Sequence, residues 1–157
     1  MYMHVICVNH THCLELILKT TSCFNLAMRK SSRLITQFYE DRLSAVDLKS
    51  GQFSILRAVS YLKQTSNKEL QRVLVLEQTT LSRNLKPLFR DGYLKLSADS
   101  NDARIKLISL TTTGKALYDM AEPIWQKAQN DLEEKLGSEE LKNILSLADS
   151  FVKALAR

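Results

Sequence analysis

The stretch from Ser66 to Leu110 carries two short helical patterns followed by a hairpin pattern, and few folds accommodate that order. Ser66 and Glu69 have the spacing of a capping box. In such a box the serine oxygen accepts the Glu69 N–H, and the glutamate reaches back to the serine N–H. A short helix follows, with Leu70, Val73 and Leu74 expected on one face. Soon after it a second series at helical spacing begins: Leu81, Leu85, Leu88 and Phe89. Gly92 stands where a left-handed C-cap belongs. Two short helices with so short a joint predict a helix-turn-helix. The chain then runs Tyr93 to Ser97, turns through Ala98-Asp99-Ser100-Asn101-Asp102-Ala103, and returns as Arg104 to Leu110. This is a β-hairpin with a polar tip, and a hairpin packed after a recognition helix is the wing of a winged helix.

The second helix has an informative polar face, made by Gln78, Thr79, Thr80, Ser82, Arg83 and Lys86. No acidic residue occurs between Gln78 and Phe89. Hydroxyl and amide groups near the N-terminal end suit base edges, and the cations suit phosphates. On the wing, Arg104 and Lys106 add positive charge beside Asp102. The alternative reading of Arg83 and Lys86 is a solvated helix face, and their place in this motif favours DNA contact. Double-stranded DNA is therefore the expected partner.

The chain resembles the MarR family of bacterial transcriptional regulators. The resemblance rests on Gly51-Gln52-Phe53-Ser54-Ile55-Leu56, Thr80-Leu81-Ser82-Arg83, Asp91-Gly92-Tyr93-Leu94, Asp102-Ala103-Arg104 and Leu110-Thr111-Thr112-Thr113-Gly114. These occur in family order at family spacing, from about Leu26 to the C-terminus. The family's wing often reads Asp-Arg-Arg or Asp-Lys-Arg, so Ala103 replaces the first cation. The resemblance implies a homodimeric regulator, most often a repressor, in which Asp102 orients Arg104. It also implies release by a small molecule or an oxidant. An effector pocket would lie between the dimerisation helices and the winged domain, near Phe38, Tyr39, Phe53, Tyr118 and Trp125. The alternative is that these aromatics are simply core. No cofactor is implied.

Composition narrows the choice further. At 157 residues the chain is the size of one ordinary domain. With only 4 Gly and 2 Pro it predicts long helices with few breaks. The net charge of +5 favours an anionic partner, and five of its cations (Arg83, Lys86, Arg90, Arg104, Lys106) fall in the recognition helix and wing. An enzyme finds no support. There is no glycine-rich phosphate loop and no nucleophile motif, and Asp47, Asp91 and the Glu133-Glu134 pair read as joint or surface residues. A winged helix that binds protein instead of DNA is a further alternative, and the basic recognition face speaks against it. No segment is apolar and long enough to span a membrane, and the N-terminus lacks a signal-peptide pattern. A cytoplasmic location is expected, where the three cysteines would be reduced.

The expected class is mainly α with a small β-hairpin wing. Residues 1–21 form an N-terminal arm and 22–157 a single domain. Within it the winged helix-turn-helix occupies about 48–112, and dimerisation helices occupy about 22–45 and 112–156. The arm holds His4, His10, His12, Cys7 and Cys13, but their spacing matches no zinc-site pattern, and no metal is expected. Leu14 to Leu18 forms a helical turn or a segment that packs on a partner.

Ser22 is the expected N-cap of a helix to about Leu43, with Leu26, Leu34, Ile35 and Phe38 as its stripe. Ser50 or Gly51 opens the next helix, with Phe53, Leu56, Val59 and Leu62 inside. Thr111 to Thr113 caps a long helix with Leu117, Met120, Ala121, Ile124, Ala128, Leu132 and Leu136 on its stripe and Trp125 beside it. Pro123 should bend that helix near Tyr118 to Met120. Ser138 caps a last helix bearing Leu141, Ile144, Leu145, Ala148, Phe151, Val152 and Leu155, a stripe wide enough to serve a second copy. Cys23, near the start of the first helix, is the one redox candidate. A helix N-terminus favours the oxidisable thiolate, and the hydroperoxide-sensing branch of the family keeps a cysteine nearby. Aligned on Ser31-Ser32-Arg33, however, that branch has its cysteine where Asn25 stands. The alternative is a structural thiol.

Overall fold

The hub of the fold is a helix opened by Ser50, because its residues at helical spacing are apolar on more than one side. In the computed structural model, which describes residues 23–100, 102 and 104–156, this helix runs Ser50–Leu62. The elements in chain order are α1 (Phe24–Leu43), a 3-10 turn (Ser44–Val46), α2 (Ser50–Leu62), β1 (Thr65–Ser66), α3 (Asn67–Leu74) and α4 (Gln78–Arg90). They continue with β2 (Leu94–Ala98), β3 (Lys106–Leu110), α5 (Thr112–Leu136) and α6 (Ser138–Leu155). The chain divides into two compact units, residues 1–38 and 39–157, and α1 runs across the division. The arm with His4, His10, His12, Cys7, Cys13 and Leu14 to Leu18, the proposed cap Ser22, and Asn101 and Ala103 at the wing tip lie outside the described residues.

In the first unit the described residues are the first four turns of α1. The helix begins one residue beyond the expected cap: the Cys23 carbonyl accepts the Ala27 N–H at 3.0 Å. None of residues 23–38 is buried, and Leu34 and Ile35 of the expected apolar stripe are exposed.

In the second unit α2 packs against α3, α4, α5 and β3. Phe53, Ile55, Leu56 and Val59 are buried, Ile55 in addition to those expected. Leu70 of α3, Leu81, Leu85 and Leu88 of α4, Ile108 of β3 and Leu117 and Ala121 of α5 close the same core. Each fully buried leucine or isoleucine contributes about 1.5–3 kcal/mol. On α3 only Leu70 is fully buried and Val73 is exposed, because eight residues make two turns and present a narrow inward face.

The capping box is half formed. Ser66 Oγ accepts the Glu69 N–H at 3.2 Å, but the Glu69 carboxylate accepts the buried Thr65 hydroxyl at 2.9 Å instead of the Ser66 N–H. Thr65 and Ser66 form a third strand, unforeseen in the sequence, paired antiparallel with Ile108 and Leu107. The glutamate thus satisfies a hydroxyl that the strand buries. The sheet order is β1-β3-β2, with Leu94 opposite Leu110 and Ala98 opposite Lys106. The fold is mainly helical with a winged hairpin, as expected, although the strands begin one and two residues later than Tyr93 and Arg104.

Gly92 takes the positive φ of +74° that a left-handed cap needs. Its N–H meets the Phe89 carbonyl and the Tyr93 N–H meets the Leu88 carbonyl, the paired bonds of a Schellman ending. Thr111 caps α5 by accepting the Gly114 N–H at 3.0 Å. The α5 helix continues unbroken through Pro123. Its buried residues include Tyr118, while Met120 and Leu136, expected on the stripe, are exposed. At the next joint Gly137, not Ser138, occupies the N-cap of α6 and no side chain caps it. Glu139 and Glu140 in the first turn complement the helix dipole. No residue of α6 is buried, and Leu145 and Leu155 are 59% and 75% exposed.

Candidate nucleic-acid interface

The core decides which face of α4 meets solvent. Leu81, Leu85 and Leu88 face inward. Gln78, Thr79, Ser82, Arg83 and Lys86 are exposed and Thr80 is half-buried, so five of the six predicted residues are open to solvent. The helix lies close to α2: a Cβ on Gly51 would come within 3.1 Å of Asn84 Oδ1. Asn84 is itself held by donating to the Thr80 carbonyl at 3.0 Å. No side chain caps the start of α4 at Glu77. The N–H groups of its first turn are therefore left for an anion such as a phosphate. Pro87 withholds the donor that the Arg83 carbonyl would otherwise meet within the helix.

At the C-terminal end of α4 the cation is already engaged. Arg90 donates to both oxygens of Asp91, at 2.7 and 3.0 Å. This hydrogen bonding, with the neighbouring positive charge, holds the Asp91 carboxyl below the usual carboxylate range. Arg90 is thus less suited to DNA than Arg83 and Lys86, which have no carboxylate partner among the described residues.

Arg104 and Asp102 sit together in the wing turn, before the start of β3. The Arg104 N–H donates to Asp102 Oδ1 at 3.0 Å, and the guanidinium lies 3.8 Å from the same oxygen. The Arg104 side chain is 95% exposed, so the ion pair biases its direction and leaves it free to reach a groove. Lys106 opens β3 and is exposed.

The predicted effector aromatics divide. A cavity of about 200 Å³ is walled by Tyr39, Leu43, Ser50, Phe53, Ser54, Arg57, Trp125 and Gln129. Tyr39, Phe53 and Trp125 are therefore wall residues. Tyr118 is not: it is buried, stacks on Phe53 at 6.0 Å between ring centres, and donates its hydroxyl to Glu122 at 2.6 Å. Burial first, then that bond and charge, push the Tyr118 phenol up to about 12. Phe38 belongs to the first unit and is half-buried. Burial also raises the Tyr39 phenol, with Arg42 opposing.

The residue that sequence reasoning missed is Arg57. Its guanidinium lies 4.0 Å from the centre of the Trp125 ring, and its Nε is buried with no hydrogen-bond partner among the described residues. The available signal was the Phe53, Arg57, Tyr61 series at i, i+4 spacing, which puts a cation between two aromatics on one helix face.

Cys23 is exposed at the start of α1. Among the described residues no cluster of three or more His, Cys, Asp or Glu side chains is placed to hold a metal ion. No described helix is long and apolar enough to cross a membrane.

Residues 48–114 match the family described as "Winged helix DNA-binding domain". The chain is 26% identical over 121 residues to the multiple antibiotic resistance protein MarR of Escherichia coli, covering 76% of this chain and 81% of that protein. It is 28% identical over 122 residues to the HTH-type transcriptional regulator SarZ of Staphylococcus epidermidis, covering 78% and 81%. Among solved structures it is similar to the M. tuberculosis transcriptional regulator MOSR in complex with DNA. The TM-score is 0.72 and the identity 29%, over 86% of this chain and 99% of that one.

Proposed function

We propose that this chain, which belongs to the MarR family of winged helix-turn-helix transcriptional regulators, is a homodimeric repressor that a small molecule releases from an inverted-repeat operator. At the coarser level it is a DNA-binding regulator of transcription. The observation that carries the finer reading is the exposed, acid-free face of α4, with Arg83 and Lys86 open and an uncapped N-terminus. Thr79, Thr80 and Ser82 would meet base edges, and the two cations would meet bases or phosphates. The wing would bring Arg104 to the adjacent minor groove, held in line by Asp102.

The dimer is supported by α6. A helix of 18 residues with no buried side chain and five strongly apolar ones exposed needs a second surface. Two-fold symmetry then sets two recognition helices about 34–36 Å apart, so the operator is an inverted repeat. Release by a small molecule is supported by the cavity beside Trp125, where the orphaned Arg57 Nε offers a donor. Oxidation at Cys23 has weaker support, because among the described residues the exposed thiol has no hydrogen-bond or ion-pair partner.

Selection of duplexes from a random pool, followed by retention across a salt gradient, tests the function. The expected result is an enriched inverted repeat with log K falling about 0.9 per phosphate contact. Enrichment of no sequence would overturn the reading.

A further inference from the structure

The chain passes from β1 directly into α3, with no residue between the two elements. One side-chain bond spans that corner. The Thr65 residue is 1% exposed, and its hydroxyl donates to Glu69 Oε2 at 2.9 Å. Glu69 is held at its other end too, since its N–H donates to Ser66 Oγ at 3.2 Å. The first turn of α3 is therefore fastened to both residues of the strand before it.

The two elements that meet here belong to different parts of the winged helix. β1 pairs with β3, the returning strand of the wing, with Thr65 opposite Ile108 and Ser66 opposite Leu107. β3 is the central strand and carries β2 on its other side. On the far side of the corner, α3 is the first helix of the helix-turn-helix and packs against α4. The angle at the corner is thus shared between the wing and the recognition helix.

Burial alone does not require this pair. A valine in place of Thr65 would suit a buried strand position and need no partner. Glu69, for its part, has the Ser66 N–H within the reach of an ordinary capping box. The threonine instead brings a hydroxyl that must be satisfied, and the glutamate leaves its local partner to satisfy it.

We propose that Thr65 and Glu69 are positioning residues, whose bond sets the wing at the angle to α4 that lets Arg104 and the recognition helix engage one duplex together. This rests on the DNA-binding reading above. Arg104 stands three residues before Leu107, the partner of Ser66, and so lies roughly 10 Å from the corner along the strand direction. A tilt of about 10° there moves Arg104 by about 2 Å, more than a hydrogen bond tolerates. Two contacts made by one rigid body reinforce each other only while the geometry lets both engage.

Thr65→Val and Thr65→Ser separate positioning from simple satisfaction of a buried hydroxyl. Thr65→Val should keep or raise the melting temperature, yet weaken operator binding about tenfold by uncoupling the two contacts. Thr65→Ser keeps the hydroxyl and should restore affinity. In an Arg104→Ala background Thr65→Val should have little further effect, because no wing contact remains to be misplaced. Glu69→Ala breaks the same bond from the other side and serves if Thr65→Val fails to fold. Backbone 15N relaxation of the free, full chain supplies an arm without DNA. There Thr65→Val should lower the order of Lys95 to Ala98 and Arg104 to Leu107 while leaving α4 unchanged. Failure of the wild type to select any duplex would count against the repressor reading, whereas wing order that does not change would overturn the positioning role by itself. An equal loss of affinity with and without Arg104 would also overturn it, leaving the pair as a structural bond only.

Discussion

A Cβ added to Gly114 would collide with the Tyr93 carbonyl oxygen, so the first turn of α5 begins in backbone contact with the turn that ends α4. Gly114 is buried, and only a residue without a side chain lets the two backbones meet. Thr111 and Thr113 complete the joint through the Gly92 and Tyr93 carbonyls. The proposed recognition helix and the helix leading to the proposed dimer interface are thereby mechanically joined. Gly114→Ala is expected to destabilise the protein by about 1–3 kcal/mol through this overlap, seen as a lower melting temperature. Unchanged stability would mean that the joint relaxes freely.

Arg83→Ala should weaken operator binding by about 1–3 kcal/mol if the arginine reads a base. Lys86→Ala should instead lower affinity for all duplexes alike and reduce the salt slope by about 1. Both side chains are exposed, so the melting temperature should not move. Competition retention with operator and random duplex at several salt concentrations separates the two roles.

The surface of α6 makes a claim about assembly. Leu145→Glu together with Val152→Glu places two charges on the exposed apolar side chains and should give a folded monomer with much reduced operator affinity. Sedimentation equilibrium and circular dichroism measure the two outcomes. A dimer that persists in the double variant would place the interface elsewhere.

Arg42 and Asp131 join the end of α1 to α5. Arg42 Nε and Nη2 both donate to Asp131 Oδ2, at 3.2 and 2.9 Å, and each side chain is about 30% exposed. A double-mutant cycle with Arg42→Ala and Asp131→Ala should return a coupling of up to about 1 kcal/mol, because partial exposure screens the pair. The same cycle at high salt should return less.

Tyr118 offers a pH test. Its folded pKa is raised from 10.0 to about 12, so the native state holds this proton more tightly than the unfolded chain does. The resulting stabilisation is present in full below about pH 10 and is lost as pH rises through about 12. Ultraviolet titration should show a tyrosine step near 12 that vanishes in Tyr118→Phe, and the variant's alkaline unfolding should begin from a lower stability.

The sequence by itself determined the elements and their polarity. The apolar spacing of Leu81, Leu85 and Leu88 buried one side of α4 and left Thr79, Ser82, Arg83 and Lys86 on the other, because helical periodicity is local and survives into the fold. Gly92 and Thr111 were equally legible, since a positive φ and an N-cap are demands of single residues on their own backbone. Tertiary structure decided what depends on partners distant in sequence. Glu69 left its own cap because β1 buried the Thr65 hydroxyl against β3, which lies some forty residues on. Tyr118 fell into the core and off the cavity wall, while Arg57, which the spacing of Phe53, Arg57 and Tyr61 placed between aromatics but not in any cavity, took a place there over Trp125. Spacing along the chain reports the faces of single elements; which faces meet is set by packing, and sites built between elements appear only there.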